Sequence, residues 1–251
     1  MSMVKWHRLL GLLLRDFFLG TPYKVEMEED LSTRSQFLDI AILHDKPGEL
    51  TRTAPVGLGE LGLYNLLTYK SIAEPLSSWA LDELLGHFVN YRKLLTPTKE
   101  PLCPCNWFRL FAVCTRFPRD LAGQFPLTAV EKGVYEVGWG GRIIRVIVLN
   151  EVEKSERNAL WHLFSGIPEQ VQYGAEQYQW QQKGVKTMLR DLFVKYRVEG
   201  VEMSYSTNDY LRELAEEFIQ QASPEDRAMV MSHVPVPELE AVLRSHETEC
   251  A

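Results

Sequence analysis

The sequence predicts an α/β fold, a small mixed sheet flanked by helices, with an α-helical extension at its C-terminal end. Three observations predict it. Segment 23–30 alternates apolar and polar residues with the period of a strand, segment 37–43 is a more apolar strand-like run carrying Asp39, and segments 6–18 and 78–94 carry the 3.6-residue period of helices. From about Ala175 onward the character changes to helices. A chain of 251 residues, 45% apolar and 24% charged, has the composition of an ordinary globular protein. It is long enough for one sizeable core, or for a core with a small appendage. We therefore expect an α/β domain over 1–175 and an acidic helical extension over 176–251.

Trp6, Leu9, Leu10, Leu13, Phe17 and Phe18 define the apolar stripe of the first helix. Leu9–Leu14 follows Lys5 and Arg8 as the apolar run of a signal peptide would. Arg15 and Asp16 end that run after six residues, and no small-x-small cleavage site follows. No other stretch approaches the roughly 20 apolar residues that span a bilayer. The expectation is a cytoplasmic protein with no membrane partner. The four cysteines include the tight Cys103-Pro104-Cys105 and the near-terminal Cys250, which do not read as a secreted disulfide framework. No second Cys/His pair has zinc-site spacing, so Cys103 and Cys105 read as loop thiols.

In the first strand Tyr23, Val25 and Met27 point one way, and Lys24, Glu26 and Glu28 the other. In the second, over 35–44, Leu38, Ile40 and Ile42 share a face, with Phe37, Asp39 and Ala41 on the opposite one. Leu31-Ser32-Thr33-Arg34 supplies a turn. Pairing the two apolar sets as a hairpin forces their parity, which puts Asp39 on the face of Lys24, Glu26 and Glu28. A turn centred between Ser32 and Thr33 sets Glu26 directly opposite Asp39. After the turn residues Lys46-Pro47-Gly48 and the glycine-punctuated 57–62 comes a third strand, 64–71, with Thr68 and Lys70 on one face. The following helix is capped by Ser77 or Ser78 and runs to Leu94 on a stripe of Trp79, Leu81, Leu84, Leu85, Phe88 and Val89. Trp107–Arg116 reads as a buried strand and Gly133–Leu149 as a hairpin turning at Gly140-Gly141. Helices are expected over 183–199, ending at Gly200, and over 207–221. Ser223-Pro224-Glu225-Asp226 recurs loosely as Val236-Pro237-Glu238-Leu239, each copy opening a short helix of a polar tail.

The order is thus helix, three strands, helix, further strand, with Leu38-Asp39-Ile40-Ala41-Ile42 on the second strand and Asn65-Leu66-Leu67-Thr68-Tyr69-Lys70-Ser71 on the third. This resembles the restriction-endonuclease-like core of the PD-(D/E)xK phosphodiesterase superfamily, in which an Asp precedes a Glu-x-Lys on the next strand. More closely, it is similar to the recombination-promoting nuclease or putative transposase family. The resemblance covers residues 5–200, includes the Trp79–Lys93 helix, and continues weakly through Phe108–Val113. It implies a DNA endonuclease using Mg²⁺ or Mn²⁺. A divalent ion both activates a water and offsets the charge developing on phosphate. By that resemblance Asp39 is the metal ligand, the Tyr69 carbonyl a further ligand, and Lys70 the partner of phosphate or attacking water.

Thr68 departs from the pattern, standing where the motif has Glu, and removes one negative charge from the site. Glu26, or Glu28, is the expected compensating ligand; Asp16 and Glu83 are weaker candidates. A second function class follows from the same departure, a catalytically silent relative acting as a binding or assembly module. In the plainest reading of all, Asp39 and Lys70 form a structural ion pair. Trp139 reads as a packed turn, Arg142 and Arg145 as decoration of their strand, and Arg92-Lys93 as cations at a helix C-terminus.

Charge sets where partners would act. Residues 1–125 carry 14 basic and 14 acidic side chains, whereas residues 126–251 carry 13 and 20 and so account for the whole net charge of −7. The last 52 residues hold 3 basic against 11 acidic side chains. DNA would therefore meet the N-terminal half, near Lys24, Arg34, Lys70, Arg92 and Lys93, because the tail repels a polyanion. The C-terminal helices are the expected surface for a protein partner or a second copy of the chain.

Overall fold

A computed structural model describes residues 6–30, 37–96, 100–181, 186–201 and 223. The chain separates into two compact units, Met1–Ser204 and Tyr205–Ala251. The expected helix over 207–221 and the repeated Pro-Glu segments lie outside the described residues.

Among the described residues of the first unit, seven strands form one mixed sheet. Helix α1 (Trp6–Phe17) leads into β1 (Tyr23–Asp30), β2 (Phe37–His44) and β3 (Tyr64–Lys70). Helix α2 (Ser78–Leu94) crosses to β4 (Phe108–Cys114), and α3 (Arg119–Gln124) to β5 (Thr128–Glu131), β6 (Val134–Trp139) and β7 (Arg142–Val148). Helices α4 (Ala159–His162), α5 (Pro168–Gln177) and α6 (Lys186–Val198) follow. The sheet order is β1-β2-β3-β4-β7-β6-β5, antiparallel at both ends and parallel at β3, β4 and β7. Both predicted hairpins are present, and the mixed α/β class holds.

The helices cover both faces, which is why β3 and β4 read as near-continuous apolar runs. On one face α1 lies so close that Gly11 meets Met27 and Ile40. Trp6 there packs edge-on against Phe164 and Tyr196. Leu9, Leu10, Leu13 and Leu14 of α1 are almost fully buried, each stabilising the fold by roughly 2 kcal/mol. On the other face α2 buries Leu81, Leu84 and Phe88 against Leu66, Leu110 and Val146. Ser77 caps α2, its hydroxyl accepting from the Ala80 N–H.

The hairpin parity is as the alternation requires, but its register is not. Val25 pairs with Ile42, Glu26 with Ala41 and Met27 with Ile40. Glu26 therefore stands two residues from the expected position, and the place across from Asp39 falls between the pairs Met27–Ile40 and Glu29–Leu38, at Glu28. Alternation fixes which residues share a face but leaves shifts of two residues open, and the observed ladder differs from the expected one by such a shift.

Candidate functional site

The site begins where β2 and β3 part. Their ladder runs from Leu43–Tyr64 to Ile40–Leu67, with the His44 N–H donating to the Leu63 carbonyl at one end. Hydrogen-bonded pairs alternate along an antiparallel ladder, so the next rung would set Tyr69 against Leu38. Instead the Tyr69 N–H donates to the carboxylate of Asp39, at 3.1 Å from Oδ2. The Thr68 hydroxyl donates to the same oxygen at 2.9 Å. A side chain thus takes the place of a backbone acceptor, and the strands diverge around it.

Asp39 is only partly buried, its side chain 22% exposed, and the buried Thr68 lies beside it. The other carboxylate oxygen, Oδ1, is 3.9 Å from Nδ1 of His7 on α1, a contact that carries charge attraction only when the imidazole is protonated. From α2, His87 approaches with Glu83 one turn before it. Burial of the His87 ring holds its pKa below the ordinary value, while the charges of Asp39 and Glu83 push the other way. Its Nδ1 is buried and has no hydrogen-bond partner among the described residues. Sequence reasoning missed both histidines. The signal available was their position on the two helices that bracket β2 and β3, with His87 between the buried Leu84 and Phe88.

Lys70 ends β3 half-buried and makes no hydrogen bond or ion pair among the described residues, so the expected structural pair with Asp39 does not form. The part of Tyr69 that meets Asp39 is its N–H. Its phenol is buried on the opposite face, 3.1 Å from the Thr115 hydroxyl, and burial drives its pKa far up. Glu26 is occupied elsewhere, accepting from the Lys24 ammonium at 2.7 Å. Asp16 is buried at the far end of α1, where it accepts from the Tyr178 hydroxyl and the Gln181 N–H, each at 3.1 Å.

Among the described side chains, the donor set at Asp39 is one carboxylate with one oxygen already accepting two hydrogen bonds; the side chain of Glu28, across the ladder, lies outside them. Among the described residues, no three His, Cys, Asp or Glu side chains are grouped so as to hold a metal ion. A Mg²⁺ site built on carboxylate oxygens is poorly matched by this set.

The remaining features are structural. Trp139 donates to Asp82 at 2.9 Å and packs edge-on against Phe125. Arg145 pairs with Glu60 and Glu136, Arg142 lies over the Phe88 ring, and Arg92 donates to the Cys103 carbonyl. Among the described residues no helix is long and apolar enough to cross a membrane.

Compared with protein-family models, with curated proteins and with solved structures, the chain matches none.

Proposed function

We propose that this chain is a catalytically silent relative of the PD-(D/E)xK nucleases, one that binds rather than cuts. The relationship is supported by the order α1, β1, β2, β3, α2, β4, in which an antiparallel three-strand meander is followed by a helix and a strand parallel to β3. The observation that carries silence is the hydrogen bond from Thr68 to Asp39. A neutral hydroxyl fills the position where a second carboxylate would complete a metal site, and it engages the oxygen a cation would need. Lys70 makes no hydrogen bond or ion pair among the described residues and remains available to an anionic ligand such as a nucleic-acid backbone.

One observation favours the active reading, a Mg²⁺- or Mn²⁺-dependent endonuclease. Asp39 is partly exposed, and Oδ1 is bound to neither Thr68 nor Tyr69. Calorimetric Mn²⁺ titration separates the two. On the silent reading, wild type and Asp39→Ala give the same weak heat, and Thr68→Glu, which adds the missing carboxylate, binds at least about tenfold more tightly. Wild-type affinity that disappears in Asp39→Ala would replace the silent reading with the active one.

A further inference from the structure

Three neighbouring parallel strands, β3, β4 and β7, end at Lys70, Cys114 and Val148. The loops that leave them are stitched together, the Thr115 N–H donating to the Lys70 carbonyl and the Asn150 N–H to the Thr115 carbonyl, each at 3.1 Å. Above this floor lies an open cleft of about 580 Å³. The carboxyl ends of parallel strands are where open α/β sheets take ligands, and the volume is that of a small-molecule site.

Its lining carries polar groups that nothing else in the described structure uses. Arg116, on the loop after β4, and Arg119, at the start of α3, are exposed and make no side-chain hydrogen bond or ion pair among the described residues. The side-chain oxygen of Asn150 is buried without a partner among the described residues. Leaving such an acceptor unmet costs about 1–3 kcal/mol, so a donor from a ligand or a water belongs there. Phe117 adds an aromatic wall.

The charges narrow the ligand class. Beside the two guanidinium groups stand the carboxylates of Glu74, Asp120 and Glu151, the last accepting from the Tyr135 hydroxyl at 2.6 Å. A bare polyanion would be repelled by three carboxylates, and a simple cation by two arginines. A ligand with a compact anion at one end and N–H donors at the other satisfies both. Two guanidiniums lining one cleft suit a phosphate monoester, which such groups bind as forks. An acceptor such as Asn150 Oδ1 suits an exocyclic amine of the kind adenine and cytosine carry and uracil lacks.

We propose that this cleft binds a nucleoside monophosphate with an amino-bearing base, its phosphate held by Arg116 and Arg119 and its amine facing Asn150. The ligand is a free nucleotide or the phosphorylated end of a strand. The inference goes beyond the reading of the Asp39 site, and its readout is separate from metal binding or cleavage.

The test is calorimetry on the full chain with AMP, CMP, UMP and inorganic phosphate. AMP or CMP binds more tightly than about 1 mM, and UMP and phosphate bind at least about tenfold more weakly. The double variant Arg116→Gln/Arg119→Gln, at exposed positions that leave the fold intact, weakens AMP at least about tenfold. Lys46→Gln, which removes a positive charge outside the cleft, leaves binding unchanged. Competition against AMP by a 5′-phosphorylated oligoadenylate, but not by its unphosphorylated form, assigns the strand end; no competition by either assigns the free nucleotide. Failure of AMP and CMP to bind overturns the proposal. So does binding indifferent to the two arginines, or UMP equal to CMP.

Discussion

Replacing Thr68 with Val isolates the interaction that distinguishes this site. The two side chains have nearly the same shape, and Thr68 is buried at 8% exposure, so the change removes the hydroxyl with little repacking. Its hydrogen bond to the Asp39 carboxylate, 2.9 Å long, has a charged acceptor, and such bonds contribute about 1.5–3 kcal/mol. The Tyr69 N–H still donates to the same oxygen, so Asp39 is not left unmet and the low end applies. The methyl group gained in Val offsets part of the loss, under about 1 kcal/mol. The net destabilisation is therefore about 1–2 kcal/mol. For a unit of this size the thermal midpoint falls by about 2–4 °C per kcal/mol, or about 2–8 °C in all. Urea unfolding and calorimetry read both quantities, with Thr68→Ser as the variant that keeps the hydroxyl and loses only the methyl, at a cost under about 1 kcal/mol. If Thr68→Val matches wild type within about 0.5 kcal/mol, the hydroxyl does not hold Asp39, and the argument for a filled metal position fails.

Two further outcomes test the fold. Gly133 turns β5 into β6 at φ +77°, and an added Cβ would lie 2.8 Å from the Val152 backbone nitrogen, so Gly133→Ala should cost about 2 kcal/mol or more in urea unfolding. His162 and His87 are both held below the ordinary 6.5 chiefly by burial. The unfolded chain then takes up protons first on acidification. The stabilisation is fully present above pH 6.5 and is lost as the pH falls through the lower folded values. Unfolding midpoints measured across that window should fall toward acid, and the slope should flatten in His162→Gln, whatever that variant does to stability at neutral pH.

Legibility of the sequence tracked the strength of local pattern. Helix α1 was readable because Leu9, Leu10 and Leu13 repeat on one face, and α2 because a serine cap precedes an apolar stripe. Strands β1 and β2 were readable from alternation, which also fixed their parity. Register was not, because it depends on the path of the turn and not on side-chain period. Strand β5 went unread: its four residues are all exposed and carry no apolar face. Helices α4 and α5 were missed as well. The first is a single turn and the second is held largely by Val171 and Gly174 against its neighbours. At the site, Asp39, Thr68 and Tyr69 were brought together as the strand order implies. The approach of His7 and His87 depends on helix packing across the sheet, which no local pattern encodes.

Plasmid nicking by the purified full chain, in Mg²⁺ and in Mn²⁺, tests the central claim most directly. The account predicts no cleavage of single-stranded or duplex DNA above the level of Asp39→Ala and Lys70→Ala. Nicking by the wild type that both substitutions abolish would contradict it.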